Sequence, residues 1–282
     1  MPKNNKRLFK NLSPRGLTLI ELLMALASTL FLLLALATML ITLQKNFNTE
    51  ETLNTLQENA RAAMQILQTH IHNAGNIGCA KLQEGFAVKS FGAYSLSSQN
   101  KLVGTAHEIT VRGAGGISGG LIHDMNDKNS IYITAKPVFE AGDLAIIADC
   151  ETAEIFQIKN ITIVTPYIRR IESITPLAKN YLQTATISRF EINTFSVERT
   201  SSKDNQGKAV TALYVKNRHH RKMELVEDIA NLIFTYDVKI NQRLQSLTAE
   251  QVTDWSSVVG ITIHFQVKHF PFTKHWYTYI AV

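Results

Sequence analysis

The chain has 282 residues, 45% of them hydrophobic and 18% charged, a composition that allows a packed core and excludes wholesale disorder. The formal net charge of +6 suggests a nucleic-acid or membrane-surface partner, but residues 1–16 contain five Lys or Arg and no acidic residue. The remainder is therefore almost neutral, which argues against a nucleic-acid partner. The basic leader instead predicts a membrane segment whose amino terminus stays in the cytoplasm.

An apolar run follows the leader at residues 17–43, and its only charged residue is Glu21. As a helix it would span about 40 Å, more than the ~30 Å hydrocarbon core of a bilayer. The run is longer than the apolar region of a secretory signal peptide, and the candidate small residue for cleavage, Gly16, precedes it. Cleavage at Gly16 would therefore leave the membrane helix attached to the mature protein.

Glu21 is costly inside a bilayer, where an acidic side chain at a helix centre is about 2.5–3.5 kcal/mol uphill. Two interpretations stay open. The carboxylate could stabilise the first helical turn through the helix dipole. Alternatively, it could be a functional intramembrane charge whose partner is a new α-amino group on Leu17, either its own or that of a neighbouring copy.

The stretch "RGLTLIEL" at residues 15–22 resembles the type IV prepilin motif, a basic leader that ends in Gly and precedes an apolar helix with Glu at its fifth position. The resemblance implies that a prepilin peptidase cuts between Gly16 and Leu17 and methylates the new amino terminus of Leu17. It also implies that the Glu21 carboxylate helps to seat the subunit in a growing pilus. The family most often has Phe at the first mature position, and this chain has Leu17.

The helix is predicted to continue to residue 73, because residues 17–74 contain no Pro or Gly. Apolar residues recur at steps of three and four along one face, and Gly75 provides a stop signal. The residues of this predicted stripe are Leu53, Leu56, Ala60, Met64, Leu67 and Ile71.

Beyond residue 78 the pattern changes to short β-rich runs. The clearest is 258–267, where Val259, Ile261, Ile263, Phe265 and Val267 alternate with Gly260, Thr262, His264 and Gln266. The other predicted strands are 108–112, 130–134, 143–149, 154–164, 186–192, 209–215, 231–238 and 274–282. The runs 113–120 and 199–208 read as loops.

The intervals between these strands are too short for several crossover helices, so the sheet should be mainly antiparallel. The predicted fold is α+β and pilin-like, with a long N-terminal α-helix, membrane-spanning in its first half, packed on that sheet. Its predicted segments are a leader (1–16), a transmembrane or fibre-core half of the helix (17–43), an amphipathic half (44–74) and a periplasmic β-rich domain (75–282).

Two cysteines occur, Cys79 and Cys150, and both follow the apolar run. A cytoplasmic leader would place them in the bacterial periplasm, an oxidising compartment where a pair of cysteines is read as one disulfide. The alternative is two unpaired thiols buried as small apolar groups.

Four later blocks, at residues 55–79, 147–158, 224–238 and 254–265, resemble the PilW family of type IV minor pilins in order and spacing. The resemblance implies a low-abundance pilin that joins other minor pilins, the major pilin and the inner-membrane assembly platform to prime pilus assembly. A tip complex is one place it could occupy. A cysteine pair recurs in that family where Cys79 and Cys150 lie, which favours the disulfide.

Other chemistry finds little support in the sequence. The Gly-rich run 113–120 lacks the following Lys-Ser/Thr of a phosphate loop, and His70 and His72 would point about 200° apart on a helix, so they cannot share a metal. No nucleophile-elbow pattern occurs. We therefore expect a non-enzyme with no catalytic residues, metal or cofactor.

A basic cluster spans residues 216–222, where a solvated hairpin turn is the interpretation we favour and an anionic or DNA-binding patch is the alternative. The residues of that candidate patch are Arg218, His219, His220, Arg221 and Lys222.

Three functions are consistent with these patterns. The first is a minor pilin held in the inner membrane by a single span, with its C-terminal domain in the periplasm, before it leaves the lipid bilayer for the pilus. The second is a minor pseudopilin of a type II secretion system. The third is a signal-anchored periplasmic binding protein, which would not be cut at Gly16.

Overall fold

The structure, a computed structural model, describes residues 18–83, 85–134, 136, 139–149, 151–203, 207–218, 221–269 and 271–282. The chain divides into two compact units, one that ends at Leu53 and one from Asn54 to Val282. The unit boundary lies inside the predicted segment 44–74, so residues 54–72 fold with the strands.

The regular elements are α1 (Leu19–His72), β1 (Val88–Lys89), β2 (Leu102–Gly104), β3 (Ile109–Gly120), β4 (Ser130–Thr134), β5 (Leu144–Ala148), β6 (Ala153–Thr165), β7 (Ile168–Ser173), β8 (Thr186–Lys203), β9 (Ala209–Lys216), β10 (Lys222–Glu227), β11 (Ile229–Ile240), β12 (Arg243–Leu247), β13 (Val258–His269) and β14 (Phe272–Ala281), with short 3-10 helices at Ala249–Gln251 and Trp255–Ser257.

The part of α1 in the second unit buries one apolar face against the strands. Its buried residues are Leu56, Ala60, Ala63, Leu67 and Ile71, spaced by three and four as one stripe requires. The predicted stripe is right in its period, but Leu53 and Met64 are only half-buried and Ala63 is the buried residue at its centre.

The turn after α1 ties the end of the helix to the sheet. Gly75 has φ +75, a left-handed conformation that favours glycine, as the predicted stop requires. Its N–H donates to the carbonyl of Arg112 in β3 at 2.9 Å.

The described strands form a ten-stranded sheet and a four-stranded sheet. The larger sheet has the order β10-β9-β8-β5-β6-β7-β4, with β3 on the other edge of β8, β2 beyond β3, and β1 parallel to β6. The smaller sheet has the order β12-β11-β13-β14 and is antiparallel throughout. The predicted α+β class and mainly antiparallel sheet are confirmed.

Strand β5 lies at the centre of the larger sheet, and all five of its residues are buried. Ala145 and Ile147 face one apolar cluster, which also contains Phe156 and Tyr181. Leu144, Ile146 and Ala148 face the opposite cluster. A strand covered on both faces has a continuous apolar sequence rather than an alternating one, which explains the run "LAIIA".

The alternation predicted for residues 258–267 holds over most of β13. Ile261, Ile263, Phe265 and Val267 are each 0% exposed. Val259 departs from the prediction, because the pairing of β11 with β13 shifts between Gly260 and Val258 and this bulge turns Val259 away from the core.

The Gly-rich run 113–120 is not a loop, contrary to prediction, and forms most of β3. Its glycines permit close packing that a larger residue would block. A Cβ at Gly113 would lie 3.1 Å from the backbone of Asn73 and Asn76, and one at Gly115 would overlap the Glu191 carboxylate. The run therefore stays extended beneath the turn that ends α1.

The predicted loop 199–208 is also partly wrong, since β8 continues to Lys203, which pairs with Ala209 of β9. This end of β8 is mostly exposed on both faces. A solvent-exposed hairpin arm carries no apolar alternation, so its sequence resembles a loop.

Candidate functional site

The first turn of α1 holds the Glu21 carboxylate at the amino end of the helix. Glu21 Oε2 accepts hydrogen bonds from the Thr18 backbone N–H at 3.1 Å and from the Thr18 hydroxyl at 3.0 Å. The Glu21 N–H donates back to the Thr18 hydroxyl at 3.4 Å. This reciprocal arrangement is a capping box, in which the two residues satisfy donors that a helix start leaves unpaired.

Thr18 is a helix-capping residue that the sequence analysis missed. Its signal was present as Thr-x-x-Glu directly before an apolar run, the pattern of a capping box. Gly16 and Leu17, the predicted cleavage and methylation positions, lie outside the described residues.

Residues 19–47 of α1 expose their large apolar side chains in every direction around the helix. Exposure ranges from 51% at Leu22 and Leu43 to 79% at Leu19, with Phe31 at 76%. A helix that is apolar all round requires burial in lipid or in other protein. Among the described residues this is the one helix long and apolar enough to cross a membrane.

The hydroxyl groups in this apolar segment are satisfied within the helix itself. Ser28 and Thr29 donate to the carbonyl of Ala25, each at 3.0 Å, and Thr42 donates to the carbonyl of Thr38 at 2.9 Å. Internal hydrogen bonds of this kind are needed where no water is present to replace them. The segment is therefore chemically compatible with a bilayer or a packed fibre core.

Cys79 is disulfide-bonded and follows Gly78, whose φ is +106. A Cβ at Gly78 would lie 2.9 Å from the hydroxyl of Thr186, and Thr186 pairs with Ala148 at the end of β5. Cys79 thus lies beside the chain that leads to residue 150. Cys150 itself lies outside the described residues, so the predicted pairing stays a prediction.

The basic cluster 216–222 lies in the connection between β9 and β10, as the predicted hairpin turn requires. Arg218 is only 10% exposed, and it donates to the carbonyl of Gly142 at 2.7 Å. Burial lowers the pKa of Arg218, and Asp143 opposes that shift.

Of the remaining cluster residues, Lys222 binds Glu198 at 2.7 Å, and Arg221 is exposed. His219 and His220 lie outside the described residues. Arg218 and Lys222 are thus bound to other parts of the chain rather than displayed on a free basic patch.

His70 and His72 lie in the last turn of α1, as predicted, and have different surroundings. The His70 ring lies 5.0 Å from that of Phe195, and burial lowers its pKa while Glu191 opposes that shift. His72 is exposed. In the described part of the chain, no group of three or more His, Cys, Asp or Glu side chains is placed to hold a metal ion.

The geometry thus singles out the amino-terminal helix, with its capped carboxylate and exposed apolar surface, as the candidate functional element. Residues 19–43 of this helix contain one ionisable group, Glu21, in a long apolar surface, an arrangement expected for helices that associate with lipid or with one another. Comparison of the chain with family models, curated proteins and solved structures gives no match.

Proposed function

We propose that the chain is a minor pilin of the PilW type, a structural subunit without catalytic activity that takes part in the priming of type IV pilus assembly. The observation that carries this proposal is the exposed apolar helix with Glu21 held at its amino end by Thr18. A helix of this kind can reside in a bilayer and later pack against the helices of other pilins in a fibre.

In this proposal the inner membrane holds the subunit by one span, with residues 1–16 in the cytoplasm and the second unit in the periplasm. A prepilin peptidase cuts between Gly16 and Leu17 and methylates Leu17. The Glu21 carboxylate of this chain then pairs with the new amino group of a neighbouring subunit in the fibre. The partners are other minor pilins, the major pilin and the assembly platform, and a tip complex is one of the places open to the subunit.

Glu21→Gln tests the role of the carboxylate. The amide keeps an oxygen that can accept the hydrogen bonds from Thr18 but removes the charge, so we expect cleavage and membrane insertion to persist and entry into filaments to fail. The measurement is the amount of the protein in sheared pili relative to the membrane fraction, by immunoblot. Glu50→Gln, at an exposed position of the same helix, is the matched control.

One result would contradict this proposal, and another would assign the subunit to a different assembly system. Normal recovery of the Glu21→Gln protein in sheared pili would contradict the role of the charge. A deletion strain that keeps its surface filaments but loses secretion would assign the subunit to a type II secretion pseudopilus instead.

A further inference from the structure

Strand β14 forms one edge of the smaller sheet, and within the described chain β13 is the one strand that pairs with it. The two strands pair without a bulge from Gly260 and Ala281 to His269 and Phe272. β14 contains no Pro or Gly and a single Lys or Arg, which is Lys274. Charged residues, Pro and bulges are the usual features that stop a further strand from pairing with a sheet edge. β14 is therefore a long and open edge.

Two other edge strands of the described sheets lack these properties. β12, at the opposite edge of the smaller sheet, has only five residues. β10, at an edge of the larger sheet, carries Lys222, Glu224 and Glu227, and a bulge interrupts its pairing with β9. A short or charged and bulged edge resists further pairing, so β14 differs from both.

The backbone groups of alternate β14 residues point away from β13. The Val282 N–H donates to the carbonyl of Val259, the residue opposite it, at 3.1 Å, which fixes the phase of the antiparallel ladder. The even-numbered residues of β14 therefore bond to β13, and the odd-numbered residues direct their N–H and C=O groups outward. These five residues are all exposed, and their outward backbone groups have no hydrogen-bond partner in the described part of the chain: Thr273, His275, Tyr277, Tyr279 and Ala281.

The two tyrosine rings of this row lean over β13 and away from the open edge. Tyr277 stacks on His264 of β13, with 4.3 Å between the ring centroids and 4° between the planes. The Tyr279 hydroxyl lies over Gly260 of β13, where a Cβ would overlap it. Because the rings occupy the surface of β13, they leave the outer backbone of β14 accessible.

We propose that β14 pairs antiparallel with β14 of a second copy of this chain, around a two-fold axis at Tyr277. The outward row runs from Thr273 to Ala281 and is symmetric about Tyr277, so this register gives every outward N–H and C=O of the row a partner. The smaller sheet then continues through both copies. Homodimers related by a two-fold axis are the commonest soluble oligomers.

The side chains of β14 favour a second copy of the same strand as the occupant. In the register centred on Tyr277, His275 lies opposite Tyr279 of the second copy, an aromatic cross-strand pair on each side of the axis. Lys274 lies opposite Ile280 rather than opposite another cation. Like charges placed opposite each other destabilise paired strands, and this register contains no such pair. The proposal concerns the second unit alone, so its failure would leave the pilin proposal unaffected.

Cysteine cross-linking of the full-length protein in detergent micelles tests the register. Opposite Cα atoms of a hydrogen-bonded antiparallel pair lie about 5.5 Å apart, which a disulfide can span. Tyr277→Cys should therefore give a disulfide-linked dimer on mild oxidation. Tyr279→Cys is the matched control on the same exposed face, and it should not cross-link because its two copies would lie about 13 Å apart along the strands. Equal cross-linking of the two variants, or none with Tyr277→Cys, would overturn the proposal.

Tyr277→Pro tests whether backbone hydrogen bonds join the two copies. Pro has no N–H, and the N–H of residue 277 points outward, so the change removes two hydrogen bonds from the dimer and none from the pairing with β13. Light scattering should show a dimer for the wild type and a dissociation constant raised about tenfold for this variant. Tyr277→Ala keeps the N–H and should weaken the dimer less.

Two outcomes of the light scattering would refute the proposal. A dimer unaffected by Tyr277→Pro, in a variant that circular dichroism shows to be folded, would place the contact elsewhere, such as between the apolar helices in a shared micelle. A monomeric wild type would leave the β14 edge to a strand of a different protein.

Discussion

Leu67 provides a direct measure of how strongly the second part of α1 is held by the strands. It is 1% exposed and belongs to the buried stripe of the helix, whereas Leu43 on the same helix is 51% exposed. Leu67→Ala should lower the free energy of unfolding by about 3–5 kcal/mol, the loss of buried methyl groups plus the cavity that remains. Leu43→Ala should change it by less than about 0.5 kcal/mol.

The assay is thermal unfolding in a mild detergent, followed by tryptophan fluorescence. The chain has two tryptophans, Trp255 and Trp276, and both lie in the second unit, so the signal reports on that unit. A domain of this size shifts by about 2–4 °C for each kcal/mol, so Leu67→Ala should lower the Tm by about 6–20 °C. If both variants unfold at the same temperature, the helix face at Leu67 is not packed and the assignment of residues 54–72 of α1 to the second unit is wrong.

Three further predictions concern the second unit. Cys79→Ala should lower the free energy of unfolding of this unit by roughly 4 kcal/mol, because loss of the disulfide gives the unfolded chain more conformational freedom. The measurement is the midpoint of chemical denaturation, and an unchanged midpoint would show that the disulfide does not stabilise the fold. Side-chain hydrogen bonds, led by that from Ser256, hold the pKa of Asp254 well below its usual range. Because the folded pKa is lower than the pKa of Asp254 in the unfolded chain, these bonds stabilise the fold at pH values above the unfolded pKa. That stabilisation should decrease as the pH falls below about 4. Asp254→Asn should flatten that acid limb of a stability-against-pH curve, and an unaltered limb would count against it. Gly113→Ala should destabilise the second unit by about 1–3 kcal/mol through overpacking. Gly116 has open space around it, so Gly116→Ala should leave the Tm unchanged or raise it slightly in a thermal unfolding experiment. A lower Tm for Gly116→Ala than for Gly113→Ala would contradict this packing.

Much of the fold follows from periodicity in the sequence. The helix, its end at Gly75 and the central strands were predictable because burial imposes a period of 3.6 or 2, or a continuous apolar run. The strands that were missed, β1, β2, β7, β10 and β12, are short or carry many charged and polar residues. Their pairing depends on neighbouring strands rather than on an apolar pattern of their own.

The glycines at 113–120 show a second limit of sequence reasoning. Glycine-rich runs usually form loops, but here the missing side chains allow the strand to lie against the turn after α1 and beside Glu191. Such close approach depends on residues that are distant in the sequence, so no local pattern indicates it.

The Glu21 cap and the ion pairs at Asp143 also differ in how far the sequence predicts them. The capped carboxylate at Glu21 could be predicted because its partner Thr18 is three residues away. The convergence of Arg189 and Arg218 on Asp143 joins three separate segments of the second unit. It became visible only when the strands were placed in order.

The intact mass of the membrane protein, isolated with and without a prepilin peptidase, tests the proposal that this chain is a prepilin. We expect the peptidase-positive strain to yield a chain that begins at Leu17 and carries one added methyl group. The strain without the enzyme should retain residues 1–16. A full-length mass in both strains would show that the chain is not processed as a prepilin.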